Sequence, residues 1–234
     1  MIDIHSHLIF DVDDGSKSLE QSLKYLEEAR KMGIKKIICT PHMCHGFRQK
    51  AVKIVNNFKI LKEEAKKYDI DLYLGNEIMM TNETVDLLKN KKITSLNRSK
   101  YLLVEFKRNE NINIDNLIEM LEDLLDSGYM VILAHPELYI NYRNLEYMKK
   151  IKESGIMLQM DATSILRGYS DIKTRNFSKK LLNNQLIDFI ASDTHCTKTR
   201  NYTVFKKSYL KIKRKNKEYA ELLFETNPNY IIEE

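Results

Sequence analysis

The chain contains six histidines, and five of them, His5, His7, His42, His135 and His195, end or closely follow a short aliphatic run. Three acids occupy equivalent places: Glu77 in LGNE, Glu105 in LLVE and Asp193 in ASDTH. Imidazole and carboxylate together form a donor set that suits manganese, iron or zinc, whereas a structural zinc site would be rich in closely spaced thiolates. His5 and His7 are two residues apart, so on a strand both imidazoles share a face and can grip one ion. Ile2 and Ile4 are then expected on the opposite face, anchoring the strand. Eight such side chains exceed the needs of one ion. The expectation is a cluster of two or three, with a carboxylate such as Glu77 bridging ions and offsetting their repulsion. His45 is the one histidine outside the pattern.

Bringing these residues together requires a particular architecture. Runs rich in β-branched residues recur at 1–5, 36–40, 70–74, 101–105, 130–134, 156–160 and 187–191. Helical spacing fills the gaps: in 19–32, Leu23, Leu26 and Ala29 share a face, with Ser18 as N-cap and Gly33 as stop. The segment 114–127 repeats the scheme with Leu117, Leu121, Leu124 and Leu125, closed by Gly128. Seven strands alternating with helices predict a parallel α/β sheet, whose C-terminal strand ends share one rim. With no linker and no compositional break, residues 1–234 read as one domain, and the segment from about 203 as a basic helical end.

Composition sets the other bounds. At 43% hydrophobic residues a sizeable core is expected. No window approaches 18 uninterrupted apolar residues and no basic-then-apolar leader opens the chain, so neither membrane insertion nor secretion is expected. Three cysteines, Cys39, Cys44 and Cys196, form no paired motif, which predicts reduced thiols and a cytoplasmic location. The net charge of +5 is mild, and its late lysines, Lys206 to Lys217, read as a solvated helix face rather than a nucleic-acid groove.

Two stretches have competing readings. In FDVDDG, Asp11, Asp13 and Asp14 precede Gly15; Asp and Gly favour turns, yet this turn leaves the strand end that carries His5 and His7, so a carboxylate could fold back onto an ion. HCTKTR at 195–200 suggests the loop of cysteine-dependent phosphatases, in which five residues separate cysteine from arginine. Only three separate Cys196 from Arg200, and none is glycine, so Cys196 reads as a bystander.

In this order, MIDIHSHLIFDVDDGSKSLEQSL, TPHM, GNEI, VEF, AHPE and ASDTH resemble the PHP (polymerase and histidinol phosphatase) superfamily. The nearer likeness is to its manganese-dependent bacterial tyrosine-protein phosphatases, encoded beside capsule and exopolysaccharide kinases. The resemblance runs from Ile2 to about Arg200. It implies a distorted TIM-like (β/α)7 barrel holding three metal ions at the C-terminal strand ends. By the same likeness His5, His7, Glu77 and Asp193 would hold one ion. Glu77 would bridge to a second, held with Glu105 and His135, and Asp14, His42 and His195 would hold the third. Arg200 matches a phosphate-clamping arginine. One departure stands out: the family pattern H-x-E-R reads His135-Pro136-Glu137-Leu138 here, and Arg143, five residues on, is the alternative clamp. A bidentate guanidinium is not replaced by leucine.

The implied reaction is metal-assisted hydrolysis of a phosphotyrosine protein, with a cognate bacterial tyrosine kinase as the expected partner. Water activated by the ions attacks phosphorus in line, while Arg200 steadies the equatorial oxygens. A histidinol-phosphate or other small-molecule phosphatase is the nearest alternative. A metal-binding regulatory module weakened at position 138 is another. A nuclease fits less well, because the basic end lacks the interleaved aromatics of a stacking platform. Tyr139, Tyr142 and Tyr169 lie near the candidate site and are expected to serve core or rim packing rather than a substrate groove.

Overall fold

The computed structural model describes residues 1–43, 50–90, 93–108 and 112–234; Cys44 and His45 lie outside the described residues. The chain opens with β1 (Ile2–Ser6), α1 (Leu19–Met32), β2 (Lys36–Cys39), β3 (His42–Met43) and α2 (Lys50–Ala65). Next come β4 (Asp71–Leu74), β5 (Glu77–Met79), α3 (Thr84–Lys89), β6 (Tyr101–Glu105) and α4 (Ile114–Asp126). The second half contains β7 (Met130–Ala134), α5 (Leu145–Glu153), β8 (Met157–Asp161), α6 (Ile172–Asn183) and β9 (Phe189–Ala191). Three helices, α7 (Tyr202–Lys213), α8 (Lys217–Glu221) and α9 (Asn227–Glu233), end it.

All strand pairs are parallel. They form one sheet in the order β1-β2-β4 and another in the order β3-β5-β6-β7-β8-β9. The seven aliphatic runs each became a strand, but β3 and β5 are additional. Each follows a two-residue break, Thr40-Pro41 after β2 and Gly75-Asn76 after β4. Pro41 has no N–H to give the ladder. Gly75 is pressed so closely that a Cβ there would lie 2.7 Å from Leu96 Cδ2. At these breaks the chain crosses from one sheet to the other, and His42 and Glu77 open the new strands.

The ends of the array also meet. Ser6 bridges Thr194, with the Asp193 amide donating to the His5 carbonyl at 3.0 Å and the His7 amide to the Thr194 carbonyl at 2.9 Å. Local chemistry explains the helices between. Ser18 caps α1 by accepting from the Gln21 amide, and Gly33 ends it at φ 79°. Asn113 caps α4 in the same way.

Two apolar clusters result. The larger lies between strands and helices and includes Phe205, Leu223 and Phe224 of the C-terminal helices, so the basic end is packed into the core. The smaller gathers Ile2, Ile4, Ile38, Leu103, Ile132, Ala134, Phe189 and Ala191. Leu103 and Glu105 are two apart on β6 and share a face, so this cluster is the floor beneath the candidate ligands. Ile2 and Ile4 therefore do not sit behind the histidines, as strict alternation predicted. The register of β1 on β2 slips between Asp3 and Ser6, which lets Ile4 join the floor while His5 and His7 face the cluster above it.

Candidate metal centre

The strand termini and one turn bring all nine candidate ligands to one place. His5 and His7 come from β1 and the turn after it, His42 and Glu77 from the starts of β3 and β5, and Glu105 from the end of β6. His135 follows β7, and Asp193 and His195 follow β9. Asp14 closes the array from the acidic turn.

Glu77 is the hub. Its Oε2 lies 3.3 Å from both His5 Nε2 and His7 Nε2 and 2.8 Å from His42 Nδ1, while its Oε1 lies 2.9 Å from His135 Nε2. Glu105 Oε1 is 3.1 Å from His42 Nδ1, and its Oε2 is 3.7 Å from His135 Nε2. Asp193 Oδ1 is 3.4 Å from both His5 Nε2 and His7 Nε2, and Asp14 Oδ1 is 3.3 Å from His42 Nε2 and from His195 Nε2. Three overlapping groups have ligand atoms within 4.8 Å of one another: His5, His7 and Asp193; His42, Glu77 and Glu105; and His7, Asp14, His42 and His195. Relative to the sequence expectation, His42 joins Glu77 and Glu105 more closely than His135 does, and His7 is shared.

His135 Nε2 pairs with Glu77 Oε1, but other ligand oxygens have no partner. Glu77 Oε2 and Asp193 Oδ1 are buried and accept no hydrogen bond despite the imidazoles around them. Lone pairs aimed at common points, rather than donors matched to acceptors, are what a cation needs. A set of imidazole nitrogens and carboxylate oxygens fits divalent ions of the manganese, iron or zinc type.

Outer contacts fix the imidazoles. His5 Nδ1 lies 2.8 Å from Gln159 Oε1, and His7 Nδ1 lies 2.8 Å from Asp13 Oδ2. Both partners are acceptors, so Nδ1 carries the proton and Nε2 keeps its lone pair for an ion. The second acidic residue of FDVDDG thus has a role that turn chemistry alone does not describe: Asp13 also accepts from the Gly15 and His42 amides. Gly15 is required here, because a Cβ would lie 2.2 Å from the His7 carbonyl oxygen. His135 (φ 36°) and Asp193 (φ 46°) both adopt left-handed backbone, a cost of order 1 kcal/mol or more each that regular strand ends do not carry.

Charge in the site is strongly coupled. Burial pulls His42 down, but Asp14, Glu105 and Glu77 outweigh it and hold the imidazole well above its ordinary range. Burial likewise pulls His135 down, and Glu77 with Asp161 lifts it to about 9. Burial raises Asp193, yet His5, His195, His7 and Arg200 bring it well below the usual carboxylate range. Without a metal, the imidazoles take up protons that metal binding would release.

Arg200 borders the cluster, 2.7 Å from Asp193 Oδ2, 3.2 Å from His195 Nδ1 and 3.9 Å from Asp161 Oδ2. Arg143 is engaged elsewhere: its Nε donates to the Glu137 carbonyl at 3.0 Å and its guanidinium to Thr174 Oγ1 at 2.7 Å. It braces the loop after β7 rather than reaching the cluster. Glu137 and Asp161, which the sequence did not single out, form a buried acidic pair; Glu137 Oε1 accepts from the Asp161 amide at 2.9 Å and from Ser164 Oγ at 2.6 Å. Tyr139 and Tyr142 are buried, Tyr139 accepting the Phe106 amide, as packing predicted.

Parallel strands that gather histidines and carboxylates in this way define an α/β protein with a candidate metal-binding cluster. The chain belongs to the capsular polysaccharide synthesis family CpsB/CapC, whose model matches residues 1–233. The putative tyrosine-protein phosphatase CapC of Staphylococcus aureus is 35% identical over 206 residues, covering 86% of this chain and 80% of CapC. Tyrosine-protein phosphatase CpsB of Streptococcus pneumoniae is 32% identical over 99% of this chain and 98% of its own. A crystal structure from the work on Bacillus subtilis YwqE and S. pneumoniae CpsB, described as unique metal-dependent tyrosine phosphatases, superposes with a TM-score of 0.79 at 28% identity, over 96% of this chain and 94% of that one. A Listeria monocytogenes lactonase, Lmo2620, shares the fold alone, with a TM-score of 0.66 at 10% identity over 97% of this chain and 92% of its own.

Proposed function

We propose that this protein is a metal-dependent protein-tyrosine phosphatase that acts on a bacterial tyrosine kinase controlling capsule or exopolysaccharide synthesis. The observation that carries the reading is the convergence of eight ligand-type side chains around a ninth, Glu77, with buried oxygens left unpaired. Family membership and the names of the relatives support the substrate class. In this reading the protein works in the cytoplasm, where Cys39 and Cys196, free of any disulfide, would stay reduced.

In this reading the domain is a distorted seven-stranded barrel. The count follows if β2 with β3, and β4 with β5, are two bent strands and the Ser6–Thr194 bridge closes the ring. Three ions, manganese in the cell, would be held by His5, His7, Glu77 and Asp193; by Glu77, Glu105 and His135 with His42 nearby; and by Asp14, His42 and His195. Bound there, such ions would lower the pKa of water toward neutrality and neutralise phosphoryl oxygens.

The chain's own residues supply the rest. Arg200, held beside the cluster by Asp193 and Asp161, would stabilise the charge that develops on the equatorial phosphoryl oxygens. Asp14, its side chain 67% exposed, marks the mouth through which substrate enters. Gln159 and Asp13 hold a proton on Nδ1 of His5 and His7, so Nε2 is the nitrogen turned toward an ion. A tyrosine leaving group, with a pKa near 10, departs without a strong general acid. The discriminating test is phosphate release from a phosphotyrosine peptide against release from histidinol phosphate. Preference for the peptide is expected; preference for histidinol phosphate would make this a small-molecule phosphatase.

A further inference from the structure

We propose that the groove between the β5–α3 connection and α4 receives the polypeptide flanking the phosphotyrosine and selects basic residues there, an inference that rests on the phosphatase reading above. The groove is a cavity of about 810 Å³. Two of its lining residues continue the strands that carry candidate ligands. Met79 lies two residues beyond Glu77 on β5 and is the register partner of Glu105, and Lys107 lies two residues beyond Glu105. A peptide whose phosphotyrosine enters the cluster can therefore extend along this edge.

The walls suit a varied peptide with positive charge. Met79, Met80 and Met120 line the groove, and unbranched thioethers adapt to different side chains. Glu83, Glu119 and Asp123 also line it, against the single cation Lys107, so the groove is negative in a chain whose net charge is +5. Glu119 and Asp123 are four apart on the exposed face of α4, where like charges oppose one another. Among the described residues neither has an ion-pair partner, and a lysine or arginine laid along α4 would relieve both.

Two phosphotyrosine peptides of equal length, one flanked by lysines and one by glutamates, test the inference with the full chain and added Mn²⁺. The lysine peptide is expected to show a kcat/KM at least about fivefold higher, converging toward parity in about 1 M salt. In the double variant Glu119→Lys/Asp123→Lys the preference should reverse. Because each enzyme is its own reference, loss of folded protein does not move the ratio. Equal kcat/KM for both peptides, with p-nitrophenyl phosphate still hydrolysed, overturns the inference alone. So does a lysine preference that survives in the double variant, whether or not the variant changes molecular mass on size exclusion as an interface between copies would. No turnover of peptides or p-nitrophenyl phosphate overturns the phosphatase reading and this inference with it.

Discussion

Asp13 Oδ2 lies 2.8 Å from His7 Nδ1, and the same oxygen accepts the His42 amide at 3.2 Å. One carboxylate thus orients one candidate ligand and positions the backbone of another. Replacing Asp13 with alanine is expected to weaken metal binding about 10- to 100-fold. Titration calorimetry with Mn²⁺ checks this; unchanged affinity would leave Asp13 with turn chemistry only.

Cys196 is 7% exposed, and burial pushes its thiol up to about 12, far from a usable thiolate. Cys196→Ser should retain most of the activity, and iodoacetamide should leave the native enzyme active. Loss of turnover with intact circular dichroism would revive a thiol mechanism.

Asp3 is fully buried, donated to by the Ser192 amide and hydroxyl, and burial raises its carboxyl to about 6. A folded-state value above the unfolded one near 3.8 means the folded protein prefers the protonated acid. The cost is absent below about pH 4 and grows as pH rises through 6, reaching on the order of 3 kcal/mol. Asp3→Asn should therefore gain stability relative to wild type as pH rises from 4 to 7, read by urea denaturation of chelated protein. A difference that stays flat across that range would contradict the assignment.

Leu138 ends the turn Pro136–Leu138 and is half-buried, three residues beyond His135. A guanidinium there would add charge-assisted hydrogen bonds to phosphate, worth about 1.5–3 kcal/mol. Leu138→Arg is expected to raise kcat/KM on a phosphotyrosine peptide about tenfold or more. No gain would mean that Arg200 already supplies the whole clamp.

Much of this was legible from residue order. A strand followed by His or Glu is a local pattern, and the parallel α/β rule turns local strand ends into a shared rim. His5, His7, Glu105, His135 and Asp193 could be placed by that argument alone. β3 and β5 could not, because two- and three-residue strands have no period to detect; Pro41 and Gly75 were the only local signs of a break. The positions of Ile2 and Ile4 failed for a related reason, since a register slip is set by the partner strand. Gln159 and Asp161 on β8, and Glu137, carry no signal in one sequence, being polar residues whose partners lie far along the chain. Arg143 was legible as a nearby cation, but Thr174 and the Glu137 carbonyl, which hold it, were not.

The central claim is that a cluster of metal ions centred on Glu77 performs the hydrolysis. The direct measurement is phosphate release from a phosphotyrosine peptide by protein dialysed against EDTA, then against Mn²⁺, with bound metal counted by elemental analysis. The account predicts no turnover after EDTA and recovery in step with three bound ions per chain. Full activity in chelated, metal-free protein would contradict it.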